Sequence, residues 1–239
     1  MRGIWQNDRM IPDLSNRAEN LRELMDNPNC DRVKLFKTYL EFALTNRLLA
    51  GWQRIYARLI RPRLRAGEKS TLLDIGFGGG DIARTLATWA RRDGFELEIS
   101  GIEQDARALA YVASLPKCAG VSFREASLAD LRREKLAFDF VISNHVLHHI
   151  TNQEMALFRD QVETLTRRVA IMNDIARSPL GYFIFASTAQ LILHKSFSVP
   201  DGLTSIRRSF TRDELQSALG PRWNVKNAPM FRVIATFTP

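Results

Sequence analysis

Between Asp31 and about Ile60, apolar residues recur three and four positions apart: Val33, Phe36, Tyr39, Leu40, Ala43, Leu48 and Leu49. Residues so spaced share one face of a helix, which predicts one or two helices ahead of any sheet. The first thirty residues are polar, with breaks at Pro12 and Pro28, and predict an arm with a short helix over Asn16–Met25. Pro62 and the turn Ala66–Ser70 close this part off, so residues 1–65 are expected to form a helical arm and cap on a core of residues 66–239. From Thr71 the rhythm changes. Short apolar runs at Thr71–Ile75, Glu96–Ile102, Val121–Arg124, Phe138–Ser143 and Val169–Asn173 predict buried strands. Helical spacing returns between them, over Ile82–Arg92, Ala106–Leu115 and Gln153–Leu165. Strands alternating with helices of this length build βαβ units, whose right-handed crossovers give a doubly wound, mostly parallel sheet.

The last third departs from that alternation. An apolar helix is predicted over Leu180–Leu193, then a loop containing Pro200, Asp201 and Gly202, then a short helix opened by Thr211 and Glu214 at capping-box spacing. Two final runs, Trp223–Lys226 and Phe231–Phe237, read as an antiparallel hairpin closing the sheet. The expectation is an α/β fold of seven strands with N-terminal helices, residues 176–210 forming a helical lid.

A chain of 239 residues suits one sizeable domain with such an extension. Its longest apolar stretch, Gly181–Leu193, is interrupted by Ser187, Thr188 and Gln190 and falls short of the roughly 18 residues that span a bilayer. Met1–Arg9 lacks the basic-then-apolar pattern of a signal peptide, which favours a cytoplasmic location. Cys30 and Cys118 show no paired spacing, so neither a disulfide framework nor a structural zinc site is expected. The net charge of +8 raises the alternative of a nucleic-acid partner. The arginines are clustered locally instead, at Arg54, Arg58, Arg61, Arg63 and Arg65, then at Arg84, Arg91 and Arg92. No basic block is interleaved with aromatics, so a small-molecule partner is the stronger expectation.

Candidate chemistry begins where the first strand ends, in Asp74-Ile75-Gly76-Phe77-Gly78-Gly79-Gly80-Asp81. A strand, a glycine turn and a helix start mark a cofactor site at the carboxyl edge of a parallel sheet. The glycines fit no dinucleotide frame, because the third would fall at Asp81 or Ala83, and no Gly-Lys-Ser/Thr follows. An aspartate at the helix start repels a pyrophosphate. Acids on both sides of the glycines suit a cationic ligand without phosphate, as S-adenosylmethionine is. Glu103, ending the second strand, stands where an acid accepts both ribose hydroxyls.

On these residues, positions 71–174 resemble the class I S-adenosylmethionine-dependent methyltransferase superfamily. Its Asp/Glu-x-Gly-x-Gly-x-Gly pattern is matched by Asp74, Gly76, Gly78 and Gly80, and its ribose acid by Glu103, with Gln104 beside it. The resemblance implies a Rossmann-like methyltransferase fold, S-adenosylmethionine as methyl donor and S-adenosylhomocysteine as product. The aspartate that often meets the adenine amino group after the third strand is here replaced by Ser127, leaving Ser127 and the Leu128 backbone to serve. Arg47, ahead of the first strand, is the counterpart of an arginine that holds the cofactor carboxylate, and Asn144, just after the fourth strand at the same edge, is a further cofactor-binding candidate.

Three of the four histidines fall within Asn144-His145-Val146-Leu147-His148-His149, which resembles the Leu-His-His of small-molecule methyltransferases. An oxygen nucleophile must lose a proton on methylation, and imidazole is a base near neutrality. His148 or His149 is therefore expected as the base, with Asp174 at the end of the fifth strand as its partner. A metal is not expected, because no carboxylate lies at helical ligand spacing from these histidines. Aromatic residues outside the sheet (Phe36, Tyr39, Phe42, Trp52, Tyr182, Phe183, Phe185 and the Arg207–Phe210 loop) suggest walls for an apolar acceptor. The segments Asn173–Ser178 and Asp201–Phe210 resemble methyltransferases of bacterial polyketide and quinone pathways. Together these predict O-methylation of a small phenolic or quinol-like acceptor by a monomer or homodimer. The alternative is RNA modification on the basic surface.

Overall fold

A computed structural model describes residues 12–193 and 196–239; the Met1–Arg9 segment lies outside them. Seven strands form one sheet: β1 (Lys69–Ile75), β2 (Glu96–Glu103), β3 (Val121–Glu125), β4 (Phe138–Asn144), β5 (Thr166–Ile175), β6 (Trp223–Ala228) and β7 (Arg232–Phe237). Their order is β3-β2-β1-β4-β5-β7-β6. The pairs among β1 to β5 are parallel, and β7 inserts antiparallel between β5 and β6, as the closing hairpin requires.

Period-two alternation divides the core between the two faces of this sheet. Leu72, Ile99, Phe140, Ile142 and Ile171 face one side. There they meet Trp52 and Ile55 from α2 (Trp52–Ile55) and Ile82 and Leu86 from α3 (Asp81–Arg92). Leu73, Val141, Ala170, Met172 and Ala235 face the other side. Against them pack Met155, Phe158 and Val162 from α6 (Asn152–Leu165) and Leu215 and Leu219 from α9 (Arg212–Leu219). With both faces covered, the central strands are apolar throughout, which is why β4 reads as a nearly unbroken run.

The N-terminal helix α1 (Arg32–Leu49) forms as expected, with Asp31 accepting from the Val33 and Lys34 amides at its start. The predicted helix over Asn16–Met25 does not form. Only the turn Leu24–Asp26 is helical, and it is a 3-10 turn. The segment is held by long-range bonds instead: Arg17 donates to the Arg208 and Ile150 carbonyls, and the Ala18 amide to Arg207. The helix over Leu180–Leu193 is present as α7 (Pro179–Ile192).

The predicted loop around Pro200 is a helix, α8 (Ser198–Arg208). Pro200 lies in its first turn, where the missing N–H costs nothing. Gly202 is the point of close crossing with α7, since a Cβ there would meet the Phe185 ring at 2.5 Å. Arg207 and Arg208 thus belong to a helix and not to a loop. Two short helices complete the core, α4 (Ala106–Ala113) and α5 (Leu128–Arg133). The second of these has a capping box, Ser127 with Asp130, that the apolar pattern did not reveal. No helix among the described residues is long and apolar enough to cross a membrane.

Candidate active site

The turn after β1 is built on left-handed backbone. Gly76, Gly78 and Gly80 have φ of 69°, 49° and 70°, a region that L side chains avoid. Space enforces the same choice. A Cβ on Gly76 would stand 2.6 Å from Val146 Cγ2, and one on Gly80 would stand 2.7 Å from the Phe123 ring. The loop therefore folds tightly against the segment after β4, and a cavity of about 610 Å³ opens at that carboxyl edge.

Asp74, Gly76, Gly78, Glu103, Gln104, Ser127, Leu128, Asn144, His148 and His149 all line the cavity. Gly80 lies just behind it as the cap of α3. Asp174 is buried behind His148. Arg47 is not brought to the site: it is exposed on the last turn of α1, while the neighbouring Asn46 turns inward to bond Asp81 and Asn144. Ser127 spends its hydroxyl on capping α5 through Asp130. Asn144 is a node of the wall, its Oδ1 accepting from Trp52 Nε1 and Arg232 Nη2, each at 3.0 Å. Of the expected aromatic walls, Tyr39 and Phe42 line the cavity. Phe36, Trp52, Tyr182, Phe183 and Phe185 do not.

The electrostatics favour a cation. The described lining contains Glu23, Asp26, Asp74, Asp81, Glu103, Asp105 and Glu154 and no lysine or arginine. Burial, then the charges of Asp81 and Glu103, push the Asp74 carboxyl well above its usual range. Its Oδ2 is buried without a hydrogen-bond partner. Burial raises Asp81 and Glu103 as well. Glu103 is held at the cavity edge by the Gln104 and Gly78 amides, 2.8 and 3.4 Å away. A ligand carrying a sulfonium, an ammonium and ribose hydroxyls answers both features: positive charge for the crowded carboxylates and donors for Asp74 and Glu103. The residues present fit S-adenosylmethionine.

The histidine segment turns into the cavity directly after β4, helped by a left-handed His145 with φ of 61°. His148 is buried; its Nδ1 lies 2.8 Å from Asp174 Oδ1 and its Nε2 lies 3.3 Å from Glu23 Oε1. Burial opposes charge on this ring, but the Asp174 charge and the bonds to both carboxylates outweigh it and lift the imidazole to about 9. His149, its side chain 32% exposed, is the open member. Burial and the adjacent His148 charge lower it to about 4, so it is neutral at pH 7. Burial would raise Glu23, yet the His148 hydrogen bond and the nearby histidine charges bring it down to about 2.

Glu23 comes from the N-terminal arm, far away in sequence, and Ser205 Oγ of α8 donates to it at 2.7 Å. Sequence reasoning missed it, because nothing in a polar arm marks the one acid that folds over the site. It supplies the carboxylate whose absence near the histidines argued against a metal.

Residues 72–168 match the methyltransferase domain family. No curated protein matches the chain in sequence. In fold the chain is similar to the plantazolicin methyltransferase BpumL, solved in complex with SAH, over 92% of this chain and 95% of that one (13% identity, TM-score 0.67). It is also similar to human N-acetylserotonin methyltransferase in complex with SAM, over 87% of this chain and 56% of that one (9% identity, TM-score 0.62). A SAM-dependent methyltransferase from Aquifex aeolicus aligns with 86% of this chain over 97% of its own length (14% identity, TM-score 0.57). That domain match, together with this sheet order and the tight glycine loop, gives residues 72–168 the core of an S-adenosylmethionine-dependent methyltransferase.

Proposed function

We propose that this methyltransferase acts on the hydroxyl oxygen of a small, largely apolar acceptor, phenolic or quinol-like. The observation that carries the reading is the placement of His149, a partly exposed imidazole, on the wall of the cofactor cavity beside the buried His148–Asp174 pair. S-adenosylmethionine, when bound, supplies a methyl group already activated on sulfonium. What remains for the chain is to align the acceptor, keep out water and take a proton.

Those roles divide among named residues. Tyr39, Phe42, Leu157 and Phe158 offer apolar wall to the acceptor. His149, which lines the cavity, accepts the hydroxyl proton. Glu23, 3.7 Å from His149 Nε2, stabilises the imidazolium that results. His148 and Asp174 form a fixed ion pair that holds the segment in place. His148 already carries its proton at neutral pH, so it is assigned to positioning and not to proton abstraction.

An RNA acceptor fits less well. The net positive charge lies away from a cavity lined with acids, which repels a phosphate backbone. The test is transfer of labelled methyl from S-adenosylmethionine into a host extract lacking the protein, with products split into solvent-extractable, nucleic-acid and protein fractions. Label in the solvent fraction, lost with Gly78→Arg, supports the reading. Label in the nucleic-acid fraction overturns it.

A further inference from the structure

We propose that Glu23, His148 and His149 form a binding site for a zinc-type divalent cation, open to the cavity on its fourth side. The proposal rests on the reading that an acceptor hydroxyl enters this cavity, and it deepens that reading by naming a second agent able to act on the hydroxyl.

The geometry is convergent. Both imidazoles present Nε2 to the same carboxylate oxygen, Glu23 Oε1, at 3.3 Å from His148 and 3.7 Å from His149. The three donor atoms lie within 4.8 Å of one another. A tetrahedral ion with bonds of about 2.1 Å sets its ligand atoms about 3.4 Å apart, so these groups already stand near ligand spacing. Two histidines and one glutamate with one position free is a donor set that zinc uses when it activates an oxygen; the ion displaces the Nε2 proton of His148 to solvent, while Nδ1 keeps its proton toward Asp174.

The supporting contacts point the same way. Each ring has a carboxylate on its far nitrogen: His148 Nδ1 lies 2.8 Å from Asp174 Oδ1, and His149 Nδ1 lies 3.7 Å from Asp26 Oδ2. Ligating histidines characteristically have such a partner, which fixes the tautomer and turns the other nitrogen toward the ion. Glu23 is oriented in turn by Ser205 Oγ. An acceptor hydroxyl reaching the free position would have its pKa lowered by the ion, the task that His149 performs as a base in the metal-free protein.

Cobalt(II) titration of the full chain, freed of any tag and stripped with chelator, tests the site by visible absorption, which is intense for tetrahedral cobalt. The expected result is saturation at one equivalent, with zinc displacing the signal. The signal is lost in Glu23→Gln and His149→Ala, and affinity falls about 10- to 100-fold in Asp174→Asn. Circular dichroism and S-adenosylhomocysteine binding check that each variant is folded, and the near-isosteric Glu23→Gln is the safest of the three. No stoichiometric absorption, or absorption unchanged in folded Glu23→Gln and His149→Ala, overturns the site. In that event, methyl transfer by the stripped enzyme that still depends on His149 leaves the functional reading standing. Stripped enzyme that transfers no methyl to any solvent-extractable acceptor, with or without zinc, counts against the functional reading instead.

Discussion

Asp174 holds His148 by two bonds at once. Its Oδ1 lies 2.8 Å from the ring Nδ1, and its Oδ2 accepts the His148 backbone amide at 3.0 Å. Asp174 lies near the end of β5 and His148 follows β4, so this contact ties the histidine segment to the neighbouring strand at the carboxyl edge of the sheet. Both side chains are about 2% exposed, which makes the pair expensive to break.

Asp174→Asn removes the charge while keeping the shape. Removing one partner of a buried ion pair costs about 3–5 kcal/mol, because the other charge is left uncompensated. A loss somewhat below that range is expected here, since Glu23 remains on the opposite face of the ring. Thermal or denaturant unfolding measures it, and a change under about 0.5 kcal/mol would mean the pair is not formed as described.

Gly76→Ala should cost stability and also weaken cofactor binding. The left-handed backbone costs an L residue about 1–2 kcal/mol, roughly a tenfold loss if it falls on the bound state. The new Cβ also presses on Val146 at the cavity wall. Calorimetric titration with S-adenosylhomocysteine reads this directly; unchanged affinity would count against the loop as the cofactor cradle.

Asp201 gives the N-terminal arm a pH dependence. Its carboxylate accepts the Leu24 and Met25 amides at 2.7 and 2.9 Å, and burial raises it from 3.8 to about 6. Glu23 and Asp26 add to the rise, against the two amide bonds. An acid with a raised folded pKa is relatively stabilising while protonated. Its contribution is present below about pH 3.8 and is lost as pH climbs through about 6. Denaturant midpoints measured from pH 4 to 7 should therefore show a downward slope in the wild type that Asp201→Asn flattens. Parallel slopes in the two proteins would contradict the assignment.

The core of this fold was legible because its residues obey short-range rules. The alternation of Leu72 with Leu73 and of Phe140 with Val141 reports which face of the sheet each residue serves, and the glycines at 76, 78 and 80 report a backbone that only glycine tolerates cheaply. What misled was the same chemistry used for another purpose. Pro200 and Gly202 look like loop residues, but one sits in a helix's first turn and the other makes room for Phe185. Arg47 and Asn46 are adjacent on α1, and only tertiary rotation of the helix decides which one faces the cavity. Glu23 was beyond local reasoning altogether, since its role comes from the fold bringing an arm across to His148 and His149.

The role of His149 as base is tested most directly by a paired measurement on His149→Ala: affinity for S-adenosylhomocysteine, and the rate of methyl transfer to the acceptor identified by labelling. Affinity within about twofold of wild type is expected, with a rate lower by about 10²-fold or more, the usual scale for removing a general base. Unchanged transfer with an intact cofactor site would contradict that role, and the hydroxyl would have to lose its proton elsewhere.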